Sequence, residues 1–186
     1  PLFTASENNN FECVVILLLN GANVNQSRND GLTPFLIALQ LNHLLIAALL
    51  LSHGADLSQS PYSPSPLMIA CSKKDYSAQE IPLSLLSNVN FQDSVGWSAL
   101  FVCCCVGNER ALRLLLSHNG NVNLCDLDGR SPLFISCGLG RLEIIRILLK
   151  NGAKVDLPAK SEWTPLFFAS QNGDANVVKI LLKNGA

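Results

Sequence analysis

Apolar triplets at i, i+3 and i+4 recur along the chain as Val14/Leu17/Leu18, Ala47/Leu50/Leu51, Leu112/Leu115/Leu116, Ile145/Leu148/Leu149 and Val178/Leu181/Leu182. That spacing lines one face of an α-helix. Upstream of the triplets a second pattern keeps the same period. Pro1, Pro34, Pro66, Ala99, Pro132 and Pro165 stand 33, 32, 33, 33 and 33 residues apart, preceded wherever the chain includes the position by Thr33, Ser65, Ser98, Ser131 or Thr164. A Ser or Thr hydroxyl accepts from an orphan first-turn amide, and proline at the first helical position sacrifices no intrahelical bond, so each pair predicts a helix start. Four residues on comes a small side chain, Ala5, Ala38, Ala70, Cys103, Ser136 or Ala169, which predicts a short first helix packed closely on its neighbour. The second helix should stop at Gly21, Gly54, Asn119, Gly152 and Gly185, residue types that tolerate the left-handed conformation just past a helix.

Polar, turn-forming segments such as Asn25 to Gly31, Asp126 to Gly129 and Asp156 to Glu162 separate the helix pairs and suit hairpin-like loops. Helix, turn, helix and projecting loop, with a [Ser/Thr]-Pro-Leu opening, resembles the ankyrin repeat. The resemblance is carried by "TPFLIALQLNHLLIAALLLSHGADLS", "SPLFISCGLGRLEIIRILLKNGAKVD" and "TPLFFASQNGDANVVKILLKNGA" and covers the whole chain. It implies an all-α solenoid of stacked helix-turn-helix units, a single domain over 1–186 with approximate repeats 1–25, 26–58, 59–90, 91–123, 124–156 and 157–186. The family's histidine two residues after the proline is replaced by Phe3, Leu36, Met68, Phe101, Phe134 and Phe167, which removes a side chain that ties neighbouring loops by hydrogen bonds.

The third copy departs from the pattern, with Gln79, Pro82 and Leu83 where the triplet belongs and Leu86 where glycine belongs. A slide of three residues brings Leu85 and Leu86 into the stripe and predicts a displaced second helix. Ser77-Ala78-Gln79-Glu80 resembles a capping box, yet Pro82 would then interrupt the helix it opens. Repeat degeneration and a notch shaped for a partner both account for the irregularity. The chain opens after a missing capping residue and stops mid-repeat without the polar terminal repeats that close a solenoid, as expected of a fragment.

Composition narrows the function classes. With 48% hydrophobic and 15% charged residues, the chain has the apolar surface that disordered chains lack. Its longest apolar stretch, Leu44 to Leu51, is well short of the ~18 residues of a membrane span, and no secretory signal is visible. The cysteines at 13, 71, 103, 104, 105, 125 and 137 are odd in number and irregularly placed, which points to a reducing, intracellular setting, cytoplasmic or nuclear. Net charge is −1, made of −4 over residues 1–98 and +3 over 99–186, so no global basic field favours nucleic acid. Arg141, Arg146, Lys150, Lys179 and Lys183 read as solvated charge on second helices. Consecutive Cys103-Cys104-Cys105 diverge by about 100° per residue on a helix and cannot converge on one tetrahedral ion. No phosphate-binding loop, nucleophile elbow or zinc helix is present, so neither catalytic residues nor cofactor or metal sites are expected.

The resemblance implies that partners dock on the face made by loop tips and first helices. Residues just before the capping Ser/Thr, namely Leu32, Pro64, Trp97, Arg130 and Trp163, should point there, with Tyr62, Val95, Asp128 and Ser161 two positions earlier. Both tryptophans occupy the same repeat position, and Trp, Tyr and Arg are favoured at binding hot spots; the alternative is that the indoles simply pack on a neighbouring loop. Leu41, Val106 and Leu139 on the first helices would form an apolar stripe. Asn25 and Asn123 end Asn-Val-Asn segments, a position hydroxylated in similar repeats, or else stabilise their own turns. The expected function is a monomeric module that binds a protein or peptide, without nucleic acid or membrane insertion. The alternatives are a recruiting or autoinhibitory arm of a larger enzyme and a structural spacer or membrane-skeleton linker.

Overall fold

A computed structural model of the chain describes residues 1–56, 65–73 and 83–186. Tyr62, Pro64, the segment Ser77–Glu80 and Pro82 lie outside the described residues. The described residues form α1 (Leu2–Glu7), α2 (Phe11–Leu19), α3 (Pro34–Gln40), α4 (Leu44–Ser52), α5 (Pro66–Cys71), a 3-10 helix (Leu83–Asn88), α6 (Ala99–Val106), α7 (Glu109–Ser117), α8 (Pro132–Gly138), α9 (Leu142–Lys150), α10 (Pro165–Gln171) and α11 (Ala175–Lys183). They fall into two compact units, residues 1–70 and 71–186.

The first helices after α1 start as their caps dictate. The hydroxyls of Thr33, Ser65, Ser98, Ser131 and Thr164 accept from the amide three residues on, at 3.2, 3.0, 3.2, 3.0 and 3.2 Å. Ser98 keeps this bond although alanine follows it in place of proline. The small residues Ala38, Cys103, Ser136 and Ala169 are fully buried, as close packing of first helices requires.

Second helices bury part of the predicted stripe, with Val14, Leu50, Leu112, Leu115, Ile145, Leu148 and Leu181 all at 0% exposure. The last residue of each triplet lies at the edge, half-buried at Leu18, Leu51, Leu116 and Leu149 and exposed at Leu182, and in α11 Val177 rather than Val178 is the buried valine. Their outer faces differ between the units. In unit 2 Arg113, Arg146, Lys150, Lys179 and Lys183 lie outward, whereas α2 and α4 in unit 1 are apolar on most sides and leave Leu19 and Leu45 each 76% exposed. In the third repeat the 3-10 helix takes the place of the displaced second helix, and Leu85 and Leu86 are buried in it.

In three of the described repeats the residue before the second helix reaches back to the preceding repeat. In unit 1 the Nδ1 of His43 lies 2.9 Å from the Ser6 carbonyl. In unit 2 Asn108 Nδ2 donates to the Lys73 carbonyl at 2.9 Å while its Oδ1 caps Ala111 N at 3.0 Å. Arg141 holds the same register and corrects the sequence expectation of a solvated helix charge. It precedes α9, lies half-buried over Gly107, and donates from Nη2 to the Cys105 carbonyl at 3.1 Å. Its Nε is buried and is the one such side-chain atom without a partner among the described residues.

Asparagines clip a repeat to the next at three places among the described residues. Asn25 accepts from Asp56 N at 2.7 Å and donates to the Gly54 carbonyl at 3.2 Å; Asn123 does the same with Lys154 N (2.8 Å) and the Gly152 carbonyl (3.2 Å), as Asn90 does with Asn121 N and the Asn119 carbonyl. The expected own-turn bond is made one step earlier, by Asn23 and Asn121 accepting from the amides of Asn25 and Asn123 at 3.0 Å.

Gly31, Gly96 and Gly129 supply the left-handed residue at three of the described loop tips, but Glu162 takes that position in the last repeat at φ 63°. A side chain there costs about 1–2 kcal/mol, partly offset by the greater chain entropy that glycine loses on folding. Glu162→Gly is therefore expected to raise stability by about 0.5–1 kcal/mol, seen as a higher urea midpoint at unchanged m-value; an unchanged or lower midpoint would contradict this.

Cys103, Cys104 and Cys137 are fully buried. Burial pushes the thiols of Cys104 and Cys137 up to about 12, so they remain protonated apolar fillers near neutral pH. Among the described residues no group of His, Cys, Asp or Glu is placed to hold a metal, and no helix is long and apolar enough to cross a membrane.

Candidate functional site

The loop tips of unit 2 share one hydrogen-bonded scaffold. In each, an amide at the tip's entry donates to the carbonyl four residues on: Asp93 to Trp97 at 3.0 Å, Asp126 to Arg130 at 3.1 Å and Ala159 to Trp163 at 2.9 Å. Adjacent tips are then linked through the backbone, Leu127 N donating to the Val95 carbonyl at 3.2 Å and Lys160 N to the Asp128 carbonyl at 2.8 Å. Asp93 and Asp126 reinforce their tips by accepting from two backbone amides each, at 2.9–3.0 Å. Ala159 occupies the same register without a carboxylate.

Asp126 has a second role. Its side chain is fully buried and takes the Arg130 guanidinium through Nε and Nη2, both at 2.7 Å. Arg130 also meets exposed Asp128 at 3.1 Å. This holds Arg130 at the edge of a cleft of about 390 Å³, lined by Asp128, Arg130, Ala159, Lys160, Ser161 and Trp163 from the tips and by Phe134, Ile135 and Phe168 from the first helices.

The floor of that cleft is aromatic. Phe134 and Phe168 stack with centroids 5.0 Å apart, and Trp163 leans on Phe167 at 4.9 Å and on Phe168 at 6.2 Å. Gly138 makes the arrangement possible, because a Cβ there would lie 2.1 Å from the Phe168 ring. Trp163 is 37% and Phe167 49% exposed, so the aromatic cluster is accessible.

The cleft gathers four of the residues expected at the binding face: Asp128, Arg130, Ser161 and Trp163. Val95 is exposed but contributes its carbonyl to the neighbouring tip, and half-buried Trp97 packs on Phe101 at 5.4 Å. Leu139 is exposed and Val106 half-buried; neither lines the cleft. In unit 1 Leu41 is exposed and Leu32 half-buried. Sequence reasoning missed Lys160, Phe134, Ile135 and Phe168. The available signal was the glycine at 138, where the equivalent first-helix position elsewhere carries a side chain.

Unit 1 has its own cleft, about 560 Å³, lined by Pro1–Thr4, Leu17, Ala22, Asn23 and Gln26–Arg28. Its cation is already engaged, since Arg28 lies 5.0 Å over the Phe3 ring and is ion-paired with Asp30.

Stacked helix pairs, hydroxyl-capped first helices and tips joined through the backbone define a repeat protein of the helix-turn-helix class. The family model for ankyrin repeats (3 copies) matches residues 2–81, 67–159 and 120–186, and the chain belongs to that family. Ankyrin repeats are in general protein-binding modules and typically not catalytic. No curated protein matches the chain significantly.

Proposed function

We propose that this chain is a protein- or peptide-binding module whose working surface is the angle between loop tips and first helices, centred in unit 2 on the cleft at Trp163. The observation that carries this reading is the accessible Trp163/Phe167/Phe168 cluster beside the anchored Arg130. Rigid aromatic groups bury large area at small entropic loss, and Arg and Trp dominate binding hot spots. Among the described residues no side-chain arrangement favours the enzyme-arm or spacer readings. Asn25 and Asn123 have both ends of their amides committed to the next repeat, so an asparaginyl hydroxylase acting on them would have to open that clip first.

Loss of a central aromatic anchor weakens an interface by about 2 kcal/mol, about thirtyfold in affinity. A pull-down from lysate is therefore expected to lose its specific partners when the array carries Trp97→Ala/Trp163→Ala, with the Phe double variant as the control for folding. Identical partners for wild type and the alanine variant, or none for either, would contradict the assignment of this surface.

A further inference from the structure

Two cations, Arg130 and Lys160, and two anions, Asp126 and Asp128, meet at the unit 2 cleft, and their pairing leaves one of them free to receive a ligand. Arg130 is held by buried Asp126 and by Asp128. Asp128 is in turn drawn toward Arg130, leaving Lys160 as the lining cation without an ion pair among the described residues. Lys160 is well placed for contact. Its backbone is fixed by the 2.8 Å bond to Asp128, and its stem runs along Gly129, where a Cβ would meet Lys160 N at 3.0 Å and Lys160 Cγ at 3.4 Å. Neighbouring Glu162 neither lines the cleft nor pairs with Lys160.

Besides the ammonium, the lining offers the exposed Ser161 hydroxyl and the Trp163 indole N–H, both able to donate. The carboxylate in the lining, that of Asp128, has one oxygen on Arg130 at 3.1 Å. A donor-rich rim over an aromatic floor complements an acceptor-bearing, negatively charged group attached to an apolar one. We propose that the cleft selects a peptide with a carboxylate side chain beside a large apolar side chain, the carboxylate on Lys160 and the apolar group against Trp163 and Phe168. This rests on the binding-surface reading above, adding the chemistry of the ligand.

The test is selection from a displayed library of random dodecapeptides on the wild-type chain and on Lys160→Glu, Lys160→Ala and Trp163→Ala, each first checked for unchanged thermal unfolding. Wild type is expected to enrich Asp or Glu next to Leu, Met or an aromatic residue. Lys160→Glu should weaken those peptides about tenfold or more and enrich Lys or Arg at the acidic position instead, since like charges placed together discriminate strongly. Lys160→Ala should lose the acidic preference and keep the apolar one. Peptides that need Trp163 but show no acidic enrichment, or that bind Lys160→Glu equally, would overturn this inference and leave the surface assignment standing. Recovery of no peptide that depends on Trp163 would overturn both.

Discussion

Gly96→Ala is expected to destabilise unit 2 by about 3 kcal/mol, from two causes that act at the same atom. The backbone at Gly96 has φ +81°, and a Cβ built there would lie 2.6 Å from Leu127 N and 3.0 Å from the Asp126 Cα. A left-handed alanine costs about 1–2 kcal/mol. The contact adds the rest, because the obstructing atoms are backbone and cannot swing aside as a side chain tip would. Relieving it means parting two loop tips and breaking the Leu127-to-Val95 hydrogen bond of 3.2 Å, at about 1 kcal/mol more. Urea unfolding followed by circular dichroism measures the loss. A change below about 1 kcal/mol would mean that the tips are not held in register as described.

Asp126→Ala should cost about the same, about 3 kcal/mol, by a different route. The carboxylate accepts from the amides of Asp128 and Arg130 and carries the Arg130 guanidinium, all while fully buried. Its removal leaves the tip amides of Asp128 and Arg130 without their acceptor, which is the main cost, whereas Arg130, 36% exposed and still beside Asp128, loses only part of its pairing. The tip's backbone shape itself should survive, because Ala159 sits at the same register with both tip bonds in place, its amide donating to Trp163 at 2.9 Å and its carbonyl accepting from Glu162 at 2.9 Å. The loss is thus one of energy and of Arg130's position rather than of fold. Asp126→Asn should fall between wild type and alanine, since its amide oxygen still accepts from the backbone while the guanidinium loses its charge partner. Equal stability of all three proteins would refute the role given to this residue.

The fold was legible because each repeat states it several times over in local terms. Thr33, Ser131 and Thr164 announce helix starts by their own chemistry, Gly21, Gly54 and Gly152 announce stops by theirs, and the triplets between them need only the helical period. Even the irregular third copy yielded its apolar residues, Leu85 and Leu86, because burial there follows hydropathy. The helix type did not follow from pattern, since a 3-10 turn and an α-turn place apolar residues too similarly over six positions to be told apart.

The site was legible only in part, for a physical reason visible at two residues. Trp97 and Trp163 hold the same repeat position, yet Trp97 is half-buried against Phe101 while Trp163 is more exposed over Phe167 and Phe168. What differs is the surroundings, and those depend on Gly138 admitting Phe168 from the next repeat. Contacts between repeats also account for Asn25, Asn123 and Arg141, whose partners lie 29, 29 and 36 residues away. Such pairings leave no local mark in the pattern of the chain.

The central claim, that binding occurs at the Trp163 cleft, is tested most directly by fluorescence. Trp97→Phe leaves Trp163 as the chain's remaining tryptophan, and a peptide selected on the wild-type chain can be titrated into this variant beside a calorimetric titration. Trp163 emission is expected to shift to the blue and to saturate with the calorimetric Kd as the indole loses contact with water. Calorimetric binding with Trp163 emission unchanged would place the binding surface elsewhere and contradict it.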